Sequence, residues 1–205
     1  MQLPIDIESV KGFLAPEEGL ALYERCLASC EMGPALEIGS YCGKSTVYLG
    51  QACKLAGSTL FALDHHRGSE EHQLGEEYHD PALFDADIGK MDSFREFRDT
   101  VSRAGLDDHV VPLVASSVVV ARNWQTPLGF IFIDGGHSLE AAETDYQCWA
   151  QHVVPGGILA IHDLFPDPNE GGQAPITIWR AAQDSGLFED IGVVGTLGVL
   201  RRVNR

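Results

Sequence analysis

In the stretch Ala35-Leu36-Glu37-Ile38-Gly39-Ser40-Tyr41-Cys42-Gly43-Lys44-Ser45, a short strand gives way to a glycine turn and then to a helix. Ala35 to Ile38 is brief and mostly apolar, as a strand covered on both faces is. From Ser45 to Leu55 the apolar residues Val47, Tyr48, Leu49, Ala52 and Leu55 fall at helical spacing. Gly39 permits the tight turn, and Gly43 lets the backbone approach a ligand closely. Unpaired amides at the start of the helix suit a carboxylate or phosphate.

Working outward, the same alternation recurs. Thr59 to Leu63 reads as a strand stopped by Asp64, Ser93 to Ala104 as a helix, and His109 to Val114 as a strand. Gly129 to Ile133 (GFIFI) ends at Asp134, the helix Leu139 to Gln151 follows, and Ile158 to Ile161 ends at His162-Asp163. A helix from Ile176 to Asp184 precedes the runs Phe188 to Val194 and Leu197 to Val203, which Gly195-Thr196 joins as a hairpin. Upstream, Ala15 to Cys30 is an amphipathic helix with Pro16 near its start, within an N-terminal helical segment 1–33. Strands alternating with helices require right-handed crossovers and a mainly parallel, doubly wound sheet, here with an antiparallel element at its end. The fold class expected is α/β, one Rossmann-like domain over 1–205. The stretch 65–91 breaks the rhythm: it is rich in His, Asp, Glu and Gly, and reads as an inserted lid over an acceptor pocket.

The 205 residues suffice for one core, and 44% apolar with 21% charged residues is globular composition. A net charge of -16 repels phosphate backbones and anionic lipid, so nucleic acid and membrane are not the expected partners. The five cysteines form no CxxC pair and read as small buried hydrophobes. With no secretory signal and no membrane-length apolar run, the expected location is cytoplasmic. The helix before the first strand is a surface that a homodimer could use.

Ligands of such a sheet sit beyond the carboxyl ends of its strands. The residues there are Glu37 and Gly39, Asp64 and His65, Ser116 and Ser117, Asp134 to His137, and His162-Asp163. Asp64 stands 21 residues after Gly43, where an acidic group commonly receives ribose hydroxyls, so a nucleoside ligand is expected. Gly39-x-x-x-Gly43-Lys44-Ser45 is one residue short of a phosphate loop, and Glu37 would oppose phosphates, which disfavours a nucleotide hydrolase. Tyr41 stands where a dinucleotide fold needs its second glycine. An imidazole such as His137 is a good proton acceptor at neutral pH; the competing reading is that His137, with Ser138, only caps the next helix.

The run Leu36 to Ser45 resembles the first motif of class I methyltransferases, especially the catechol and caffeoyl-coenzyme-A O-methyltransferase type, with its acidic-x-Gly-x-x-x-Gly-x-Ser pattern. The resemblance extends, with gaps, from about Ala35 to the end and implies a seven-stranded sheet and S-adenosylmethionine as cofactor. It puts Glu37, Gly39 and Ser40 at the methionine end, with Gly43, Ser45 and Asp134 as further cofactor residues. Asp64 and the adjacent His65 then serve the ribose side, and Ser116 and Ser117 the adenine. In that family an aspartate after the fourth strand binds magnesium and a lysine three residues on acts as base. Asp134 matches the aspartate, and His137 occupies the lysine position. Asp163 matches a second metal-binding aspartate, but Leu164 replaces the asparagine that should follow. Asp134 and Asp163, with His162, could then hold a magnesium or manganese ion, the competing reading being two carboxylates that orient substrate or cofactor without metal; His162 is a reserve base. The expected activity is O-methylation of a small-molecule hydroxyl; a non-catalytic adenosylmethionine or adenosylhomocysteine sensor on the same fold is the alternative.

Overall fold

The computed structural model describes residues 2–69 and 80–203. Its helices are α1 (Pro16–Ser29), α2 (Lys44–Ala56), α3 (Phe94–Arg103), α4 (Ser117–Ala121), α5 (Leu139–Trp149) and α6 (Ala174–Asp184). Its strands are β1 (Ala35–Ile38), β2 (Leu60–Leu63), β3 (Phe84–Asp85), β4 (Lys90–Met91), β5 (Val110–Leu113), β6 (Leu128–Ile133), β7 (Val153–Ile161), β8 (Phe188–Val194) and β9 (Leu197–Arg202). Seven strands form one sheet in the order β5-β2-β1-β6-β7-β9-β8. The neighbours from β5 to β7 are parallel, and β9 runs antiparallel to both β7 and β8. The doubly wound sheet with an antiparallel C-terminal strand is thus as expected.

All six residues of β6 are buried because helices cover both faces of the sheet. Phe130 and Phe132 pack towards α1, α2 and α3, with Leu22, Val47, Leu49 and Phe97. Ile131 and Ile133 pack on the other side with Trp149 of α5 and Trp179 of α6. Pro112 is tolerated in β5 because that strand is the sheet edge.

Three local expectations change. β7 begins at Val153, not Ile158: Pro155-Gly156-Gly157 lies inside the strand, across a register shift opposite β6. Glycine is needed there because a Cβ on Gly157 would lie 2.8 Å from the Gly129 carbonyl oxygen. Ser116 and Ser117, expected simply to follow a strand, open a short helix, α4. The ends of the 65–91 insertion are built into the fold. His66 is buried beside Phe94 and Phe97, and Leu83 and Met91 pack on Cys42. Residues 70–79, which carry His72 and His79, lie outside the described residues. Among the described residues, no helix is long and apolar enough to cross a membrane.

Candidate active site

Strand order reverses between β1 and β6, and their carboxyl ends open into a cleft of about 1130 Å³. Gly39 has φ +89°, and a Cβ there would stand 1.9 Å from the Asp134 carbonyl oxygen. The loops after β1 and β6 can meet this closely only through glycine. Gly43, at φ +94°, is the N-cap of α2. Ser40 is buried, and its hydroxyl finds no hydrogen-bond partner among the described residues. An orphaned hydroxyl in a loop that lines the cleft is a fit for a polar ligand group.

Asp64 closes the next strand and ties two loops together. Its Oδ2 accepts the Tyr41 amide at 2.8 Å, and its Oδ1 accepts the His66 amide at 2.7 Å. His65 is exposed at the cleft rim, its Nδ1 4.0 Å from Asp64 Oδ1. Ser116 lines the cleft as the N-cap of α4.

Three expected cofactor residues are also tied into the fold by their own hydrogen bonds. Glu37 is fully buried beneath the loop and absent from the cleft wall; it accepts the Ser45 and Thr46 hydroxyls at 2.5 Å each. Strand alternation sends its side chain towards α2, away from the cleft into which Ile38 points. Burial pushes its carboxyl up to about 8, against the two hydroxyls that favour the anion. Ser45 therefore braces Glu37. Ser117 lines the cleft, but its hydroxyl donates to buried Asp145 and accepts the Trp149 indole N–H, so it serves α5.

The loop after β6 brings Asp134 and His137 to the cleft. Ser138 is the N-cap of α5 and accepts the Ala141 amide, so the capping role belongs to it and not to His137. His137 lines the cleft, with Nε2 3.0 Å from Asp163 Oδ2. Asp163 sits after β7 with φ +58°, a left-handed conformation that aspartate tolerates better than most residues. Burial alone would raise its carboxyl, but the His137 hydrogen bond and the His162 charge hold it below the usual aspartate range.

His162 sits between carboxylates of two elements. It is 5% exposed, with Nδ1 3.1 Å from Asp134 Oδ1 and Nε2 3.0 Å from Glu18 Oε2. Burial works against its charged form, but Asp134, Glu18 and Asp163 overcome it and push the imidazole up to about 11. An imidazolium with a carboxylate at each nitrogen has no lone pair to accept a proton or bind a metal. In that state His162 orients Asp134, and its expected roles as reserve base and metal ligand require it first to give up a proton. Asp134, His162 and Asp163 do bring ligand atoms within 4.8 Å of one another. These three residues, expected as a metal centre, are close enough to hold a divalent ion once His162 gives up a proton.

Glu18, on the first turn of α1, was not foreseen. It is 4% exposed and takes four donors: the Ala15 amide, the Thr196 amide and hydroxyl, and His162. Burial alone would raise its carboxyl, but His162 and Thr196 bring it down to about 2. The only sequence signal is a glutamate three residues into a helix, which usually means no more than a capping box. Lys11, Gly12, Phe13 and Leu14, ahead of α1, also line the cleft and were read only as part of a helical segment.

These groups set a pH dependence of stability. His162 contributes stability that is complete below its ordinary 6.5 and is lost as pH rises towards about 11. Glu37, favoured neutral, loses its contribution as pH rises from 4.5 through about 8. Glu18 works in the other direction, losing its contribution as pH falls from 4.5 through about 2. Maximum stability is expected in mildly acidic solution, with a lower urea midpoint at pH 8.5 than at pH 5.5. Equal midpoints would contradict the buried Glu37 and His162 assignments.

A family model described as "Methyltransferase domain" matches residues 36–164. Among solved structures, an O-methyltransferase from Bacillus cereus in complex with SAH superposes with TM-score 0.60 at 18% identity, covering 94% of this chain and 83% of that one. The O-methyltransferase TomG from Streptomyces achromogenes, in complex with SAM and involved in tomaymycin synthesis, gives 0.63 at 14% identity, covering 94% and 82%. An rRNA methylase from Streptococcus thermophilus gives 0.58 at 10% identity, covering 95% and 100%. At such identities the superpositions speak for the fold, and this fold serves more than one class of acceptor. With the glycine turn after β1, Asp64 after β2 and the cleft at the strand-order reversal all in place, the chain belongs to the methyltransferase-domain family and has the class I fold of its S-adenosylmethionine-dependent enzymes.

Proposed function

We propose that this protein transfers a methyl group from S-adenosylmethionine to a hydroxyl of a small molecule, with His137 as general base. The observation that carries this reading is the His137–Asp163 pair, 3.0 Å apart on the wall of the cleft that the Gly39 turn also lines. The solved O-methyltransferases of the same fold support the choice of oxygen as acceptor.

The cleft suits this cofactor better than a phosphorylated one. Asp64, Asp134, Asp145, Asp163, Glu140 and Glu170 line it, against Lys11 and Lys44. Acidic walls attract a sulfonium and an ammonium group and repel phosphates. In this reading Gly39, Ser40 and the amides at the start of α2 receive the amino-acid end, and Asp64 the ribose.

Bound S-adenosylmethionine supplies an electrophilic methyl group, which the acceptor oxygen takes by in-line displacement. The protein's part is to place the two reactants and to manage one proton. Asp163 accepts the Nε2 proton of His137, which puts the proton-accepting lone pair on Nδ1. Asp134, held by the His162 imidazolium, faces the cleft as a hydrogen-bond acceptor for the acceptor's hydroxyl. Asp134, His162 and Asp163 are the residues that would hold a divalent ion, which would polarise the acceptor hydroxyl, and no step is routed through it. We further propose that the insertion 65–91 covers the acceptor side, because His65, Gly68 and Ser69 already form part of the wall.

Methyl transfer followed with labelled S-adenosylmethionine and a panel of sugar, polyketide and phenolic hydroxyls tests the reading. Binding without turnover on any acceptor would favour the sensor. Stabilisation by ATP alone would overturn both. Asp64→Ala is expected to weaken cofactor binding about 10- to 150-fold by calorimetry, the worth of one charge-assisted hydrogen bond. Asp64→Asn keeps an oxygen for the Tyr41 amide and should recover part of that loss.

A further inference from the structure

Away from the cleft, α1 and α2 meet through three thiols. Cys26 and Cys30 lie one turn apart on α1, and Cys53 faces them from the last turn of α2. The Sγ atoms are 3.9 Å apart for Cys26 and Cys30, 3.8 Å for Cys26 and Cys53, and 3.9 Å for Cys30 and Cys53. All three are buried, and all are free thiols. None lines the cleft, which meets the opposite end of α2.

We propose that Cys26, Cys30 and Cys53 form a trigonal site for one cuprous ion, separate from the methyl-transfer cleft. The centre of this nearly equilateral triangle lies about 2.2 Å from each sulfur, close to the ~2.3 Å of a metal–thiolate bond. Three sulfurs already on one circle of bonding radius need only lose their protons, with no helix movement. Thiolate sulfur selects soft ions, chiefly Cu(I), zinc and iron–sulfur clusters. A structural zinc ion wants a fourth ligand in a closed tetrahedron, and an iron–sulfur cluster wants four cysteines. Among the described residues the group contains three ligands and no fourth histidine, cysteine or carboxylate. A three-coordinate d10 monovalent ion matches that number. Entry is past Cys30, which caps the C-terminus of α1 and is 8% exposed, whereas Cys26 and Cys53 are sealed. Binding exchanges thiol protons for the ion, changes no oxidation state, and ties α1 to α2.

The test is a titration of the fully reduced protein with Cu(I) presented as its bicinchoninate complex under nitrogen. The expected result is removal of one equivalent from the chelate, a sulfur-to-copper charge-transfer band in the ultraviolet, and a rise in Tm on loading. Cys53→Ala should lose at least tenfold in affinity, and so should Cys30→Ala, whose position at the core edge protects the fold. Cys148→Ala, outside the triangle, should bind as the parent does. Circular dichroism of each variant shows that it is folded. No uptake by the parent, equal uptake by folded Cys53→Ala and Cys30→Ala, or retention of Zn(II) in preference to Cu(I) would each overturn the proposal.

Discussion

Replacing His137 with alanine is expected to lower kcat by about 10²- to 10⁴-fold, the usual worth of a positioned general base. Cofactor affinity should stay within about twofold, because the turn at Gly39 and the carboxylate of Asp64 are untouched by a change confined to proton transfer. The split between kcat and cofactor Kd is the informative part. A structural role for His137 would move both, and a role in cofactor binding would move Kd first. Asp163→Asn leaves an oxygen facing His137 but removes the charge that stabilises its protonated form, so it should reproduce a large share of the loss. Turnover equal to the parent in His137→Ala would remove the base from the mechanism and leave the cleft as a binding site.

Replacing Glu18 with alanine is expected to destabilise the fold by about 3–5 kcal/mol, the cost of leaving a buried charge without its partner. For a chain of this length that corresponds to a fall in Tm of about 10 °C. The loss is large because Glu18 joins three distant parts of the chain: α1, His162 after β7, and Thr196 at the β8–β9 turn. Gly195, at φ +58°, permits that turn, and a Cβ there would stand 2.5 Å from Glu18 Oε1. Glu18→Gln keeps an acceptor for the Thr196 amide and loses the charge, so its cost should be smaller. A Tm within about 1 °C of the parent in Glu18→Ala would mean that His162 loses its charge easily and that Asp134 needs no such support.

His137 and Glu18 differ in how much of their part the sequence reveals. His137 was legible because a strand of alternating packing, GFIFI, ends just before Asp134, and polar groups after a strand of a parallel sheet fall in the cleft by geometry alone. Glu37 was legible as part of the motif but its direction was not, because pattern alone does not say which face of a four-residue strand meets the helix and which the cleft. Leu36 and Ile38 take one face, and Glu37 takes the other, where Ser45 and Thr46 receive it. The structured ends of the insertion were hidden for a related reason. His66, Leu83 and Met91 have no shared periodicity, and only the folded chain brings them to Phe97 and Cys42.

What the sequence determined by itself is the α/β architecture, the parallel sheet with its antiparallel end, and the glycine turn with an aspartate one strand further on. These are local facts, set by residue period, glycine conformation and the short reach between consecutive elements. What only the tertiary structure decided is the state of His162 and the importance of Glu18. They are 144 residues apart, and their charges depend on each other's presence in a site from which water is excluded. Burial disfavours each ion alone, and the pair with Asp134 reverses that preference, so neither residue's chemistry could be read from its own neighbours in the chain.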